Sequence, residues 1–472
     1  MTWAPRSSGR GDRGMVALRL PRSADFPATL LAVVAAGAAS SLFGTVAADA
    51  RWLAALGAYV TRHGSIPDFV PFASAPSNGW PNVPVLAELV FHGLEVVGGD
   101  RALMTAQVAA VIVAFTLIAV GMRRAGASDS GSMLVLLLLI PASFVALPFV
   151  RVQLFSVLLF PALLLVVRSE SRRPTRSIWL LVPLLALWAN LHGAVLVGLA
   201  VAAAYLLIDR VRTQPATAAG ACAACVLAVF ATPALWRTAA YYAGVLDNEA
   251  ARRGIGQWAP LSPTSGLDVA FIVSGILLAA LALRGRPAIW ELVVLLGLAV
   301  LAGRASRAGV WFAFFAVEPA ALSLRQRGKP QAMLAASVLV VLGTAAVIGL
   351  VRGPSEAGAG RTLLQQTLAQ AAGTPVLSTD LLGEQVVLAG GRIWLGNPLD
   401  AFGRADQRRY LDWLEGKPAG DAVLAGAPRV VLVRRGSRSQ HRLARNADFR
   451  EFARDSKAVL YIRAPTARPA DM

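Results

Sequence analysis

Long apolar runs separated by short, arginine-bearing connectors constrain this chain more than any motif in it. The runs fall at about 27–48, 103–121, 132–150, 153–167, 177–190, 193–209, 216–232, 266–284, 287–303, 308–324 and 331–351. Each crosses, or nearly crosses, the roughly 30 Å hydrocarbon core of a bilayer. With 56% hydrophobic and 15% charged residues over 472 positions, an ordinary soluble domain is excluded. The pattern predicts a mainly α polytopic membrane protein with about eleven transmembrane helices over residues 27–351, preceded by a basic cytoplasmic segment, 1–26, and followed by a soluble-looking tail, 352–472.

Charge placement orients the runs. The N-terminal arginines (Arg6, Arg10, Arg13, Arg19, Arg22) precede an apolar run too long for a cleaved signal, which predicts an uncleaved signal anchor. With the N-terminus inside, Arg123/Arg124, residues 168–176, Arg210/Arg212, Arg284/Arg286 and residues 325–329 all fall in the cytoplasm, as the positive-inside rule requires. The net charge of +18 is thus a signal of topology and contact with membrane lipids, not of nucleic acid. Cys222 and Cys225 have C-x-x-C spacing but lie in an apolar helix without further ligands, so packing is the plainer reading.

The same threading turns two hairpins outward. In "LWANLHGAVLVG", residues 187–198, the run between two arginine-rich loops must cross twice, leaving Asn190, His192 and Gly193 in an outer turn. In "LPFVRVQLFS", Arg151 and Gln153 reach the same side. Outside also lie a first loop, 49–99, whose Glu88, His92 and Glu95 have the spacing of an interfacial helix, a loop at 233–265, and the tail. Within the tail, short apolar segments at 375–379, 392–396, 429–433 and 458–462 read as strands and "ADQRRYLDWLEG" as a helix, predicting a small extracytoplasmic α/β domain.

Taken in order, Asp49, "HGSIPDFVPFAS", "RVQLFS", "LWANLHG", "QWAPLSP" and the "RASRAG" turn at 304–309 resemble the GT-C superfamily of polyprenyl-phosphate-dependent membrane glycosyltransferases, particularly bacterial protein-mannosyltransferase-like proteins. The resemblance covers most of residues 27–325, and "STD" (378–380), "GNPLDAF" (396–402) and "LYIRA" (460–464) look like the extracytoplasmic domain closing many such chains. It implies a sugar transferred from a lipid-linked donor to a glycan or protein acceptor at the outer face of a bacterial inner membrane. Asp49 would be the catalytic base or help hold a metal. Arg151, with Arg304 or Arg307, would stabilise the departing phosphodiester, and Gln153, Asn190, His192 and Glu88 would bind substrate. Where such relatives carry a second acid, a histidine and another aspartate, this chain has Ala47, Leu53 and Val70, so no metal ligand set is assigned although a divalent cation stays open.

Plainer roles stand beside each of these. Asp49 is placed to cap a helix, Arg151 to reach headgroups, and Asn190 and His192 to close their hairpin. Glu318 reads as a kink residue with one polar bond, Asp400 as a turn residue and "NPLDAF" as an acceptor contact in the alternative. Two other functions compete: a non-catalytic protein of the same fold that binds lipid-linked saccharide or an envelope-assembly partner, and a transporter of lipid-linked saccharide, which would need charges along a route through the spans.

Overall fold

The computed structural model describes residues 27–324, 338, 342–343, 346–351, 353, 358–426 and 428–464. The basic N-terminal segment, the 325–329 connector and most of the run expected at 331–351 fall outside them. The chain is mainly helical. Three helices are long and apolar enough to cross a membrane, Val85–Arg124, Leu154–Arg172 and Gly266–Arg284, and the remaining apolar helices are shorter. The expectation of about eleven crossings meets three helices of that length among the described residues, because several apolar runs hold a helix shorter than the run: α4 (Asp129–Ser143) stops well before the end of the run at 132–150.

Helix α1 (Pro27–Leu42) leads into strand β1 (Thr45–Val46), then α2 (Ala50–His63), α3 (Val85–Arg124) and α4 (Asp129–Ser143). The Asp129 carboxylate accepts from the Ala28 and Thr29 amides at 3.1 and 2.9 Å, satisfying donors that the start of α1 leaves open. Helix α3 joins two segments across Gly98 and Gly99; Gly99, at φ 56° and ψ −144°, adopts a conformation that a side chain would forbid. Strand β2 (Phe149–Val150) pairs in parallel with β1, Val46 opposite Val150, and this two-residue ladder brings the chain at Asp49 beside Arg151.

Next come α5 (Leu154–Arg172), α6 (Leu181–Ala189), α7 (Val195–Ile208), α8 (Pro215–Ala228), α9 (Thr238–Leu246), α10 (Glu249–Arg253), α11 (Gly266–Arg284), α12 (Ile289–Arg304) and α13 (Gly309–Ser323). Helices α6 and α7 reverse through residues 190–194, where the sequence expects a turn. Trp188 packs so closely on α7 that a Cβ on Gly198 would stand 2.5 Å from its ring.

Helices α5, α7 and α13 all begin at one end of the bundle and finish at the other, in an ion network. There Arg172 meets Glu318 at 2.7 Å, Arg168 lies 3.3 Å from Glu291, and Arg210 lies 3.3 Å from Glu170 with both side chains only 2% exposed. Glu318 is therefore tied to two arginines, Arg168 and Arg172, where the sequence suggests a kink with one polar bond. At 1.5 Å per residue, the length of α5 separates this network from Arg151 by roughly 25 Å.

The tail holds a four-stranded sheet of order β3-β4-β6-β5, built from Val376–Ser378, Val430–Arg434, Ala458–Arg463 and Phe449–Arg454. β3 and β4 run parallel and the other pairs antiparallel, with Leu377 opposite Val431 and Leu432 opposite Leu460. Val376, Leu382, Val386, Val430, Leu432 and Leu460 form its separate apolar core. The strand expected at 392–396 is reduced to isolated bridges at Ile393, since glycines flank it and Pro398 lacks the N–H to extend a ladder. That short piece joins the tail to the first loop: Ile393 N donates to Phe72 O at 2.9 Å, and Ser74 N to Ile393 O at 3.0 Å. β5, "FREFAR", was not expected, because exposed charges on an edge strand mask its alternation.

Candidate functional site

A cavity of about 900 Å³ lies at the end of the bundle opposite the ion network. Asp49, Arg151, Gln153, His192 and Arg307, all singled out in the sequence, line it. Asn190, Glu88 and Arg304 do not. Asn190 donates to Ala186 O and Ala231 O at 2.8 and 2.6 Å, binding the end of α6 to the loop after α8. Glu88 is fully buried where α2 crosses α3 and accepts from Asn82 Nδ2 at 3.1 Å. Arg304 ends α12 on an exposed face. Asn190 and Glu88 are thus held by hydrogen bonds away from the cavity lining, and Arg304 stands on the surface.

The β1–β2 ladder sets the centre of the site. Arg151 Nη2 and Nε donate to Asp49 Oδ2 at 2.5 and 3.1 Å, and Arg151 also bonds Ala48 O and Gln257 Oε1. Asp49 Oδ1 faces Asn397 Nδ2 at 3.4 Å and Trp52 Nε1 at 3.5 Å. Its amide donates to Glu384 Oε1 at 2.9 Å, and Asn397 donates to the same oxygen at 2.8 Å, so the tail clamps the Asp49 backbone. Asp49 holds φ 84°, a left-handed conformation unusual outside glycine. Burial acts to raise the Asp49 carboxyl, but the charge and hydrogen bonds of Arg151, with Arg307 and Trp52, hold it below its ordinary value.

Arg307 carries the second positive charge. Its guanidinium lies 4.2 Å above the Trp258 ring and makes no hydrogen bond among the described residues. Burial and the neighbouring Arg151 lower it to about 10, so it stays a cation at neutral pH. Gln153 Nε2 supports the Arg307 carbonyl at 3.4 Å.

His192 is fixed from behind. Trp188 Nε1 donates to Ser156 Oγ at 2.6 Å, and Ser156 Oγ lies 2.6 Å from His192 Nδ1. An indole only donates, so Ser156 Oγ accepts from it, and with one donor and two acceptor sites the hydroxyl ties the indole to the imidazole in either neutral tautomer. Burial first, then the charges of Arg307 and Arg151, push the imidazole down to about 3. His192 is a neutral imidazole held beside two guanidinium groups.

The tail closes the cavity with Asn397, Leu399, Asp400 and Tyr410. Asp400 Oδ2 accepts from Trp80 Nε1 at 3.0 Å, and burial raises its carboxyl to about 6. From this charged end the cavity continues along Leu196, Val197, Ala200 and Ala204 of α7 and Val293, Gly297, Leu298 and Leu301 of α12, an apolar trough. Its Val293 and Leu301 are also exposed on the outside of the bundle.

Gln257 and Trp258 were legible only as part of "QWAPLSP", and Asp400 and Asn397 only as part of "NPLDAF"; Ser156 and Glu384 carry no local signal. A divalent cation does not suit the donor set. The Asp49 oxygens face Arg151 and two N–H donors, Arg307 adds positive charge, and no three His, Cys, Asp or Glu side chains gather as a metal site among the described residues. No family model matches the chain, and no curated protein matches it.

Proposed function

We propose that the protein is a membrane glycosyltransferase that moves a sugar from a polyprenyl-phosphate donor to an acceptor at the outer face of a bacterial plasma membrane. The observation that carries this reading is the cavity itself, which joins two guanidinium groups and a neutral imidazole at one end to an apolar trough at the other. A phosphate seated between Arg151 and Arg307 places its prenyl chain along α7 and α12. Guanidinium groups suit that role because charge grows on the phosphate as the glycosidic bond breaks.

The polytopic arrangement belongs to the same reading. Val273, Ile276, Leu277, Leu292, Leu296 and Val300 expose apolar surface along α11 and α12, as a lipid-facing pair requires. The arginine-rich network then faces the cytoplasm, while the cavity and tail lie on the other side.

A non-catalytic binder of lipid-linked saccharide is favoured by one observation, the bidentate engagement of Asp49 by Arg151. Transport has less behind it, since Glu318 sits in a closed ion network and not along a route. The deciding experiment measures sugar release and donor binding in lipid nanodiscs with polyprenyl-phosphate pentoses and hexoses. Release by the wild type, lost in Arg307→Gln, supports the transferase. Tight binding without release supports the binder, and neither binding nor release refutes both.

A further inference from the structure

Among the groups lining the cavity, Asp49 and Asp400 are the two carboxylates, and their surroundings differ. Asp49 has both oxygens turned to donors: Arg151 twice on Oδ2, Asn397 and Trp52 on Oδ1. A carboxylate so engaged is a weak base whose charge is already spent on a guanidinium. Asp400 receives one side-chain hydrogen bond, from Trp80, together with its own backbone N–H. It stands on the tail side of the cavity, against α9, where a Cβ on Gly244 would lie 3.8 Å from the Asp400 Cβ. The prenyl trough leaves from the α7–α12 side, so an acceptor that does not share the trough meets the tail wall, where Asp400 stands.

Resting on the glycosyltransferase reading, we propose that Asp400 is the general base that accepts the acceptor's hydroxyl proton, and that Asp49 is a positioning residue that aims Arg151 at the donor phosphate. In the step, the acceptor O–H bond breaks and its proton moves to the Asp400 carboxylate. The freed oxygen bonds to the anomeric carbon, and the C–O bond to phosphate breaks. The electron pair leaves with the polyprenyl phosphate, whose charge meets Arg151 and Arg307. A single displacement of this kind inverts the anomeric configuration.

The charged and titratable surroundings of Asp400 fit a base that works near neutrality. Tyr241 on α9 faces it, and burial and the neighbouring Asp400 hold that phenol well above its ordinary value, so it stays protonated. Tyr242 is turned toward Gly193. Asp49 acts on Asp400 through space in the raising direction. The nearby cations are engaged elsewhere, Arg237 by Gly79 O and Arg404 by Asp247. Asp400, raised to about 6, is ionised at neutral pH yet basic enough to take a proton.

The test is the pH dependence of transfer by the full chain in nanodiscs, from the polyprenyl-phosphate sugar that the wild type turns over, to an alkyl glycoside. Asp400→Asn keeps an acceptor for the Trp80 N–H and removes only the base. Expected are a wild-type rate that falls as pH drops through about 6, and a loss of roughly 100-fold or more in Asp400→Asn at an unchanged donor Kd. In Asp49→Asn, donor Kd should shift and the acid limb persist. Near-wild-type transfer by Asp400→Asn, or an acid limb removed by Asp49→Asn alone, overturns the assignment while leaving the transferase standing. An inactive wild type overturns the transferase and this assignment together.

Discussion

Replacing Ser156 with alanine removes the hydroxyl that accepts from Trp188 and holds His192, both at 2.6 Å. The two losses are unequal. Trp188 is fully buried, so its indole N–H is left without water or partner, which costs about 1–3 kcal/mol. His192 lines the cavity and, once freed, can turn its ring to bring Nδ1 to water there, so its share lies near 1 kcal/mol or below. Ser156→Ala should therefore lower stability by roughly 1–4 kcal/mol. Trp188→Phe removes the donor along with ring volume. Once the serine is gone, changing the tryptophan no longer breaks a hydrogen bond and instead relieves the orphaned N–H. The double variant should thus be more stable than the sum of the singles predicts by about 1–3 kcal/mol. Equilibrium unfolding in mixed micelles, followed by circular dichroism so that the lost tryptophan does not alter the signal, measures all four corners of the cycle. Strict additivity would refute the coupling of Trp188 to Ser156, and with it the argument that this pair holds the His192 ring in place.

Elsewhere, Glu170→Gln leaves Arg210 buried and uncompensated and should destabilise by about 3–5 kcal/mol in the same unfolding assay. Gly198→Ala drives a methyl into the Trp188 ring and should cost about 1–3 kcal/mol, with weaker donor binding measured alongside. Because burial raises Asp400 from 3.8 to about 6, the folded state favours its protonated form; that contribution is complete below the lower value and lost as pH rises through the upper one. Asp400→Asn should accordingly raise Tm at pH 8 and leave it nearly unchanged at pH 3.5, and an equal shift at both would dismiss the burial argument.

Local pattern carried the helices well. Apolar runs mark α11 at Gly266–Arg284 as the sequence expects, and the Asn190–Gly193 reversal follows from arginines on either side. Lengths were harder to read, because an apolar run does not reveal where a helix ends: residues 27–48 contain a helix that stops at Leu42 before β1. Within the site, Arg151 and His192 stand out because polar groups inside apolar surroundings are conspicuous. Asp400 and Glu384 sit in an ordinary polar tail, and their importance arises only from contacts with Trp80 and Asp49. Arg304 and Arg307 show the limit of spacing: three residues apart, one faces outward and the other stacks on Trp258.

The clamp between Glu384 and the Asp49 amide spans 335 residues of chain. During synthesis, Asp49 and Arg151 emerge long before the residues that complete their surroundings. The backbone bonds of Phe72 and Ser74 to the segment around Ile393 must wait until those residues have been made. A nascent chain therefore has made all of its bundle helices while its cavity still lacks the wall at Asn397 and Asp400. The cavity is complete only once nearly the whole chain has been made, and the last contacts to form are the ones that give it its shape.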